Sequence, residues 1–273
     1  MISDPKTIRR FCDILSELSA EHGRSLLHLY PDSQAFTHKL SSGYAVSDGV
    51  GSFMTQIFGW GLADQPVSDD ELDETLALYH PTEATPLIEI NVSADPTLFS
   101  RLEERGYRLN HWLSTLGNRL ERLDMSTPDN DPIHIRHASD DEEELWMHTL
   151  LLGHSGRDEG EIDEATLYML RGAFHSPYVT PYLAEYDGTI AGAAELQTLG
   201  DVAVLSSAST LPRFRNRGIH KQLIQTRLKD SYASGVKTIL QQCIPESVSE
   251  TNAMKSGLIP LTIAAQMRHK SRS

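Results

Sequence analysis

Arg213, Arg215, Arg217 and Lys221 crowd around a single glycine, Gly218, in the stretch TLPRFRNRGIHKQL (Thr210–Leu223). The chain around them is acidic, with a formal net charge of −14. An alternating stretch ending in Pro212 leads into the glycine turn. An amphipathic pattern follows, with Ile219, Leu223, Ile224 and Leu228 on one face while Lys221, Gln225, Arg227 and Lys229 point elsewhere. A strand that runs through a glycine turn into a helix leaves unpaired backbone N–H groups at the helix start, where the peptide dipoles concentrate positive charge. Such an end suits an anion, and a glycine lets the ligand approach the backbone. Diphosphate is the natural ligand, with the cations adding charge that pairs with phosphates. On spacing alone, a tight turn with solvated arginines is the plainer alternative. No Lys-Ser or Lys-Thr follows as in a Walker loop, and no G-x-G-x-x-G unit surrounds the turn as in a dinucleotide fold.

The elements that would position this turn begin with two domains. At 273 residues the chain has room for two ordinary ones. The break is MSTPDNDP, Met125–Pro132, rich in proline and acids with little to bury. This predicts domains at 1–125 and 132–273. In the first, helices are expected over about 5–22 and 68–79, with strands and turns in the glycine-rich segment between them. In the second, a strand at IHIRHAS precedes two helices, DDEEELWMHTLLLG and DEATLYMLRGAF. A meander of antiparallel strands, the glycine turn and its helix, the strand KTILQQ, a short helix near SVSETNAMKS and a final strand pair containing LTIAAQMRH follow. Setting Gly106 against Gly257, a spacing of 151, aligns LIEINVSADPTLFSRLEERGYRLNHWLSTL with TILQQCIPESVSETNAMKSGLIPLTIAAQM without a gap. Both read strand, short helix, glycine, strand. The first half has no counterpart of the basic turn.

Composition narrows function further. Thirty-eight acids against twenty-four bases argue against nucleic acid, whose binding needs a basic surface. No apolar run is long enough for a bilayer crossing, and the start lacks a secretory pattern, so a cytoplasmic protein with no membrane partner is expected. Cys12 and Cys243 have neither disulfide nor metal spacing, and no metal is expected. A homodimer is left open.

Thr210-Leu211-Pro212 followed by Arg215-Asn216-Arg217-Gly218-Ile219-His220 resembles the acetyl-CoA signature of the GNAT N-acetyltransferase superfamily, [Q/R]-x-x-G-x-[G/A]. SETNAMKSGL, Ser249–Leu258, resembles that family's next motif, an asparagine on a short helix before Gly-Phe. The first half resembles the degenerate GNAT-like domain of some bacterial tandem members. The resemblance implies an α/β (α+β) protein of two GNAT-like domains, each a mixed, mostly antiparallel sheet flanked by helices. It also implies acetyl-CoA as co-substrate and an amine acceptor. Ala208, Ser209 and Thr210 would hydrogen-bond the pantetheine arm through the backbone. Asn216, Arg217, Gly218, Ile219, His220 and Lys221, beside Arg215, would cradle the diphosphate, and Asn252 would bond the arm from the other side. The sequence departs from the pattern in three ways. His220 stands for Gly/Ala, Leu258 for Phe, and no tyrosine follows Asn252.

In that family the amine attacks the thioester directly, so an N–H near Ser209 would polarise the carbonyl and a carboxylate would act as base. Glu195 is the first candidate base and Glu246 the second. Gln241 and Gln242 stand where relatives often have a glutamate. Ser206, Ser207 or Ser209 could relay a proton. His154 and His175 are candidates for acceptor contact, and Asp158, Glu159 and Glu161 would favour a cationic acceptor. The alternative function is a sensor or scaffold that holds an acyl-CoA without turnover.

Overall fold

The computed structural model describes residues 4–49, 52, 54–126 and 132–271; Thr127–Asp131 of the expected linker lie outside them. In chain order the elements are α1 (Pro5–Leu29), β1 (Phe36–Lys39), β2 (Tyr44–Ser47), β3 (Gln56–Phe58), α2 (Asp69–Ala77), β4 (Leu87–Asn91), α3 (Leu98–Glu104) and β5 (Tyr107–Arg119). Next come β6 (Ile133–His137), α4 (Glu143–His154), α5 (Glu164–Phe174), β7 (Val179–Tyr186), β8 (Thr189–Leu199) and β9 (Val202–Thr210). The chain continues with α6 (Ile219–Ala233), β10 (Thr238–Cys243), α7 (Val248–Lys255) and β11 (Ile259–His269). The class is mixed α/β, as the resemblance implies.

Contacts gather the chain into two compact units. Unit 1 holds Met1–Thr115, Cys243–Ser247 and Pro260–Ser273, and unit 2 holds Leu116–Gln242 and Val248–Ile259. The expected division at 1–125 and 132–273 follows the chain in order, whereas the contacts group most of the C-terminal strand with the first half.

In unit 1 the strand order is β1-β2-β3-β4-β11-β5. β1, β2 and β3 are antiparallel neighbours, and β3 pairs with β4 in parallel. α1 starts with Asp4 accepting from the Thr7 amide and Pro5 in the first turn, and it buries Ile8, Phe11, Leu18 and Leu26. It runs seven residues past the expected end at His22. Gly23 allows this extra length to pack closely, because a Cβ there would lie 2.5 Å from Thr37 Oγ1.

In unit 2 the order is β10-β9-β8-β7-β6, antiparallel except for the β9–β10 pair. α4 and α5 cover part of this sheet through Trp146, Met147, Leu150, Leu167, Leu170 and Phe174, packed with Leu183 and Ala193. The Trp146 indole N–H donates to the Ala194 carbonyl at 2.9 Å, which satisfies its one polar atom.

The 151-residue repeat holds element by element. β4 matches β10, α3 matches α7, and Gly106 and Gly257 take the same left-handed backbone, with φ of 88° and 91°. The expected final strand pair is one strand, β11, because after Pro260 the segment contains no turn-forming residue to reverse it.

Candidate active site

The site grows from an irregularity in unit 2. β8 and β9 pair regularly as Gly192–Thr210, Ala193–Ser209 and Ala194–Ala208, then again from Leu196–Leu205 to Leu199–Val202. Glu195 therefore faces two residues, Ser206 and Ser207. This is a β-bulge, which bends the strand that carries the extra residue. On its other edge β9 pairs with β10 only over Val202–Val204 against Thr238–Leu240. The pairing with β10 ends at Val204, and among the described residues no strand pairs with the other edge of Ser206–Thr210.

The basic turn lies at the end of that edge. Asn216 has φ 64° and Gly218 φ 89°, so two left-handed residues bracket Arg217 in the turn before α6. Gly218 caps α6 with no side-chain hydrogen bond, and the first turn of α6 contains no acid. The first amides of α6 thus stay open, as in an anion-binding helix start. The arginines are more constrained than the sequence implied. Arg215 donates to the Thr210 and Gly153 carbonyls at 3.2 and 2.9 Å, which ties the turn to β9 and to α4. Arg217 lies over the Tyr186 ring at 4.7 Å, and Arg213 lies over Phe214 at 5.1 Å. Lys221 is exposed.

His220 turns inward. Its Nε2 is buried with no hydrogen-bond partner among the described residues. Desolvation, then the charge of Arg227 and the neighbouring His154, lower its pKa to about 4. The imidazole is neutral at physiological pH and adds no charge to the turn. Desolvation also holds His154 below the usual imidazole range.

Asn252 on α7 is half-buried. Gln241 is 6% exposed; its Nε2 donates to Ser249 Oγ at 2.8 Å while its Oε1 has no partner among the described residues. Thr210 Oγ1 is in the same state. These open polar atoms, the uncovered β9 edge and the α6 amides fit a ligand that carries both amide groups and a diphosphate.

The remaining expected residues are less uniform. Ser209 is buried and its hydroxyl donates to the Thr149 carbonyl at 3.2 Å, so that hydroxyl is already engaged. Glu195 is 3% exposed and accepts from Gln197 Nε2 at 3.1 Å. Glu246 belongs to unit 1, exposed, with a left-handed φ of 62°. His175 pairs with Glu143 at 3.3 Å. Asp158 accepts from the Arg213 amide at 2.9 Å, while Glu159 and Glu161 are exposed. Two side chains of α6 expected to point away are buried, Gln225 and Arg227. Arg227 is 1% exposed and donates to the carbonyls of Leu223, Glu195 and Ser206. Its position four residues after Leu223 is the signal that places it on the inner face; its charge had argued for solvent.

Residues 140–252 match the family model described as Acetyltransferase (GNAT) family. Over 94% of this chain and 95% of its own, a GCN5-related N-acetyltransferase from Kribbella flavida superposes with a TM-score of 0.64 at 14% identity. A GCN5-related N-acetyltransferase from Sphaerobacter thermophilus superposes with a TM-score of 0.53 at 18% identity, covering 74% of this chain and 65% of its own. A tandem GNAT protein from the clavulanic acid biosynthesis pathway gives 0.53 at 13% identity over 75% of this chain and 70% of its own. No curated protein sequence matches. At these identities the structural likeness is one of fold. Residues 140–252 thus match the GNAT acetyltransferase family, and the chain has the fold of GNAT N-acetyltransferases.

Proposed function

We propose that the protein is an acetyl-CoA-dependent N-acetyltransferase that acts on an amine acceptor by direct attack. The observation that carries this reading is the β9 edge left uncovered beyond Val204, running to the glycine start of α6. The amides of Asn216–Lys221, beside Arg215, would hold the diphosphate. The backbone of Ala208, Ser209 and Thr210 would hold the pantetheine arm, with the amide of Asn252 on its other side. Acetyl-CoA, when bound, supplies the acetyl group as a thioester. The chain's part is then to orient, to polarise and to move a proton.

A β9 N–H near Ser209 serves as the donor toward the carbonyl oxygen. Glu195 serves as the base that takes the amine proton, either directly or through water. It is preferred to Glu246 because it lies opposite the bulge, on the strand paired with Ala208–Thr210. Calorimetric titration of acetyl-CoA and thiol release with polyamines, aminoglycosides and peptide N-termini test the proposal. Binding with release is expected for at least one acceptor, and absence of binding would overturn it.

A second reading has its own support. The Ser209 hydroxyl is engaged, glutamines stand at 241 and 242, and no tyrosine follows Asn252. These fit a protein that holds acyl-CoA without turnover, which would show binding and no release with any amine.

A further inference from the structure

Arg227 lies on α6 two turns beyond the residues that would meet the diphosphate, and the chemistry above makes no use of it. It is almost completely buried, which for a guanidinium demands a full set of acceptors. Nε donates to Leu223 in its own helix at 3.0 Å, and Nη1 donates to Glu195 and Ser206 at 2.8 and 3.0 Å. The two strand carbonyls are those where the β8–β9 register breaks. A regular ladder would use them between the strands; here Arg227 holds them toward α6. The helix is fixed at a second point, because the Tyr182 hydroxyl on β7 donates to Asp230, three residues after Arg227, at 2.8 Å.

We infer that Arg227 is the positioning residue of the cleft: by holding the Glu195 and Ser206 carbonyls it maintains the bulge and keeps β9 parted from β10 beyond Val204. The bend of a bulged strand is local and depends on the groups that satisfy its unpaired backbone. With Arg227 removed, both carbonyls lose the guanidinium donor that now holds them. The strands can recover those bonds only by sliding toward a regular ladder, which turns the residues of β9 to other faces. That this cleft receives a pantetheine arm rests on the function proposed above; the role of Arg227 in shaping it does not.

Amide exchange followed by mass spectrometry, with calorimetric titration of CoA, tests the inference on Arg227→Lys, Arg227→Gln and Arg227→Met. Lysine keeps the charge but cannot span the same three acceptors. It should raise exchange within Ser206–Thr210 about tenfold while the rest of unit 2 stays protected, and weaken CoA binding about tenfold. Gln and Met should lose more, and Lys and Gln carry the test if the Met variant does not fold. Trp146→Phe is the control, because it removes a buried hydrogen bond to Ala194 on the other side of the same strand. It should lower stability without weakening CoA binding. Unchanged exchange at Ser206–Thr210 in Arg227→Lys, or equal loss of CoA binding in Trp146→Phe, would overturn the inference. A wild-type protein that binds no CoA defeats the proposed function, and the exchange measurement then decides the role of Arg227 alone.

Discussion

Two helices, one in each unit, follow a strand that makes a short parallel pairing, and their first turns are opposite in chemistry. α2 begins at Ser68, whose hydroxyl accepts from the Glu71 amide, and its first turn is Asp69, Asp70 and Glu71. Two of those acids, Asp69 and Glu71, are bound within unit 1. Arg101 and Arg105 pair with Asp69 at 2.8 and 3.3 Å, and Glu71 accepts from the Trp60 indole and the Ser41 hydroxyl at 3.0 and 2.6 Å. α6 begins at a glycine with no cap, no acid and open amides. A helix start is electropositive in both cases; in unit 1 the chain's own carboxylates use that potential, and in unit 2 no acid of the first turn does, which suits the diphosphate proposed there. The strands before them differ likewise. β3 ends two residues after its parallel pairing begins, whereas β9 continues past its pairing as a bulged, uncovered edge.

The largest expected effect breaks one side of this comparison only. Gly218→Glu puts a side chain on a left-handed residue and a carboxylate at the open helix start, so CoA affinity should fall by more than about 100-fold. Ser68→Ala removes the cap of α2 and should lower stability by about 1 kcal/mol with CoA affinity unchanged. Titration of both variants, beside a denaturant melt, checks the pair. Loss of CoA binding in Ser68→Ala would end the assignment of the ligand to unit 2.

Next in size is Glu195→Gln. If Glu195 removes the amine proton, kcat should drop by about 100-fold while CoA affinity holds. A drop in affinity with kcat unchanged would instead make this carboxylate a partner of Arg227 in shaping the strand.

Much of unit 2 was legible in the sequence because its cues are local. A strand, Pro212, Gly218 and an amphipathic helix in that order specify the turn. Gly106 and Gly257 mark equivalent left-handed corners that few other residues tolerate. What was not legible depends on partners distant in sequence. The bulge at Ser206–Ser207 exists only in the register between β8 and β9. Arg227 reads as a surface cation until the Glu195 and Ser206 carbonyls, 32 and 21 residues away, supply its acceptors. Ser209 reads as a free hydroxyl until α4 brings the Thr149 carbonyl over it; Gly153 permits that approach, since a Cβ there would lie 2.3 Å from Ser209 Oγ. The grouping of Pro260–Ser273 with unit 1 has no local signature at all.

The units should also separate by pH. His220 in the folded chain protonates only near pH 4, against 6.5 for the unperturbed side chain. The unfolded chain binds more protons between those values, so stability is complete above about pH 6.5 and falls as pH drops toward 4. The full effect is on the order of 3 kcal/mol. In unit 1, hydrogen bonds from Arg101 and Arg105 hold Asp69 and Asp73 below the ordinary carboxylate value of 3.8, so their contribution is lost at lower pH. Melting temperature measured from pH 4 to 7 should therefore slope in the wild type and flatten in His220→Asn. An unchanged slope would place the acid sensitivity elsewhere.

The smallest effect tests whether the repeat is physical. Gly106→Ala and Gly257→Ala each force a side chain onto a left-handed residue, which costs about 1–2 kcal/mol. The new Cβ would meet His269 Nε2 at 2.6 Å in the first case and Leu123 Cδ2 at 2.8 Å in the second. Both obstacles are the ends of side chains that can swing aside, so backbone strain should dominate and the two losses should agree within about 0.5 kcal/mol. Denaturant melts of the two variants measure this. A large loss at one glycine and none at the other would mean that the shared φ arises from different local constraints, and that the 151-residue correspondence stops at the level of pattern.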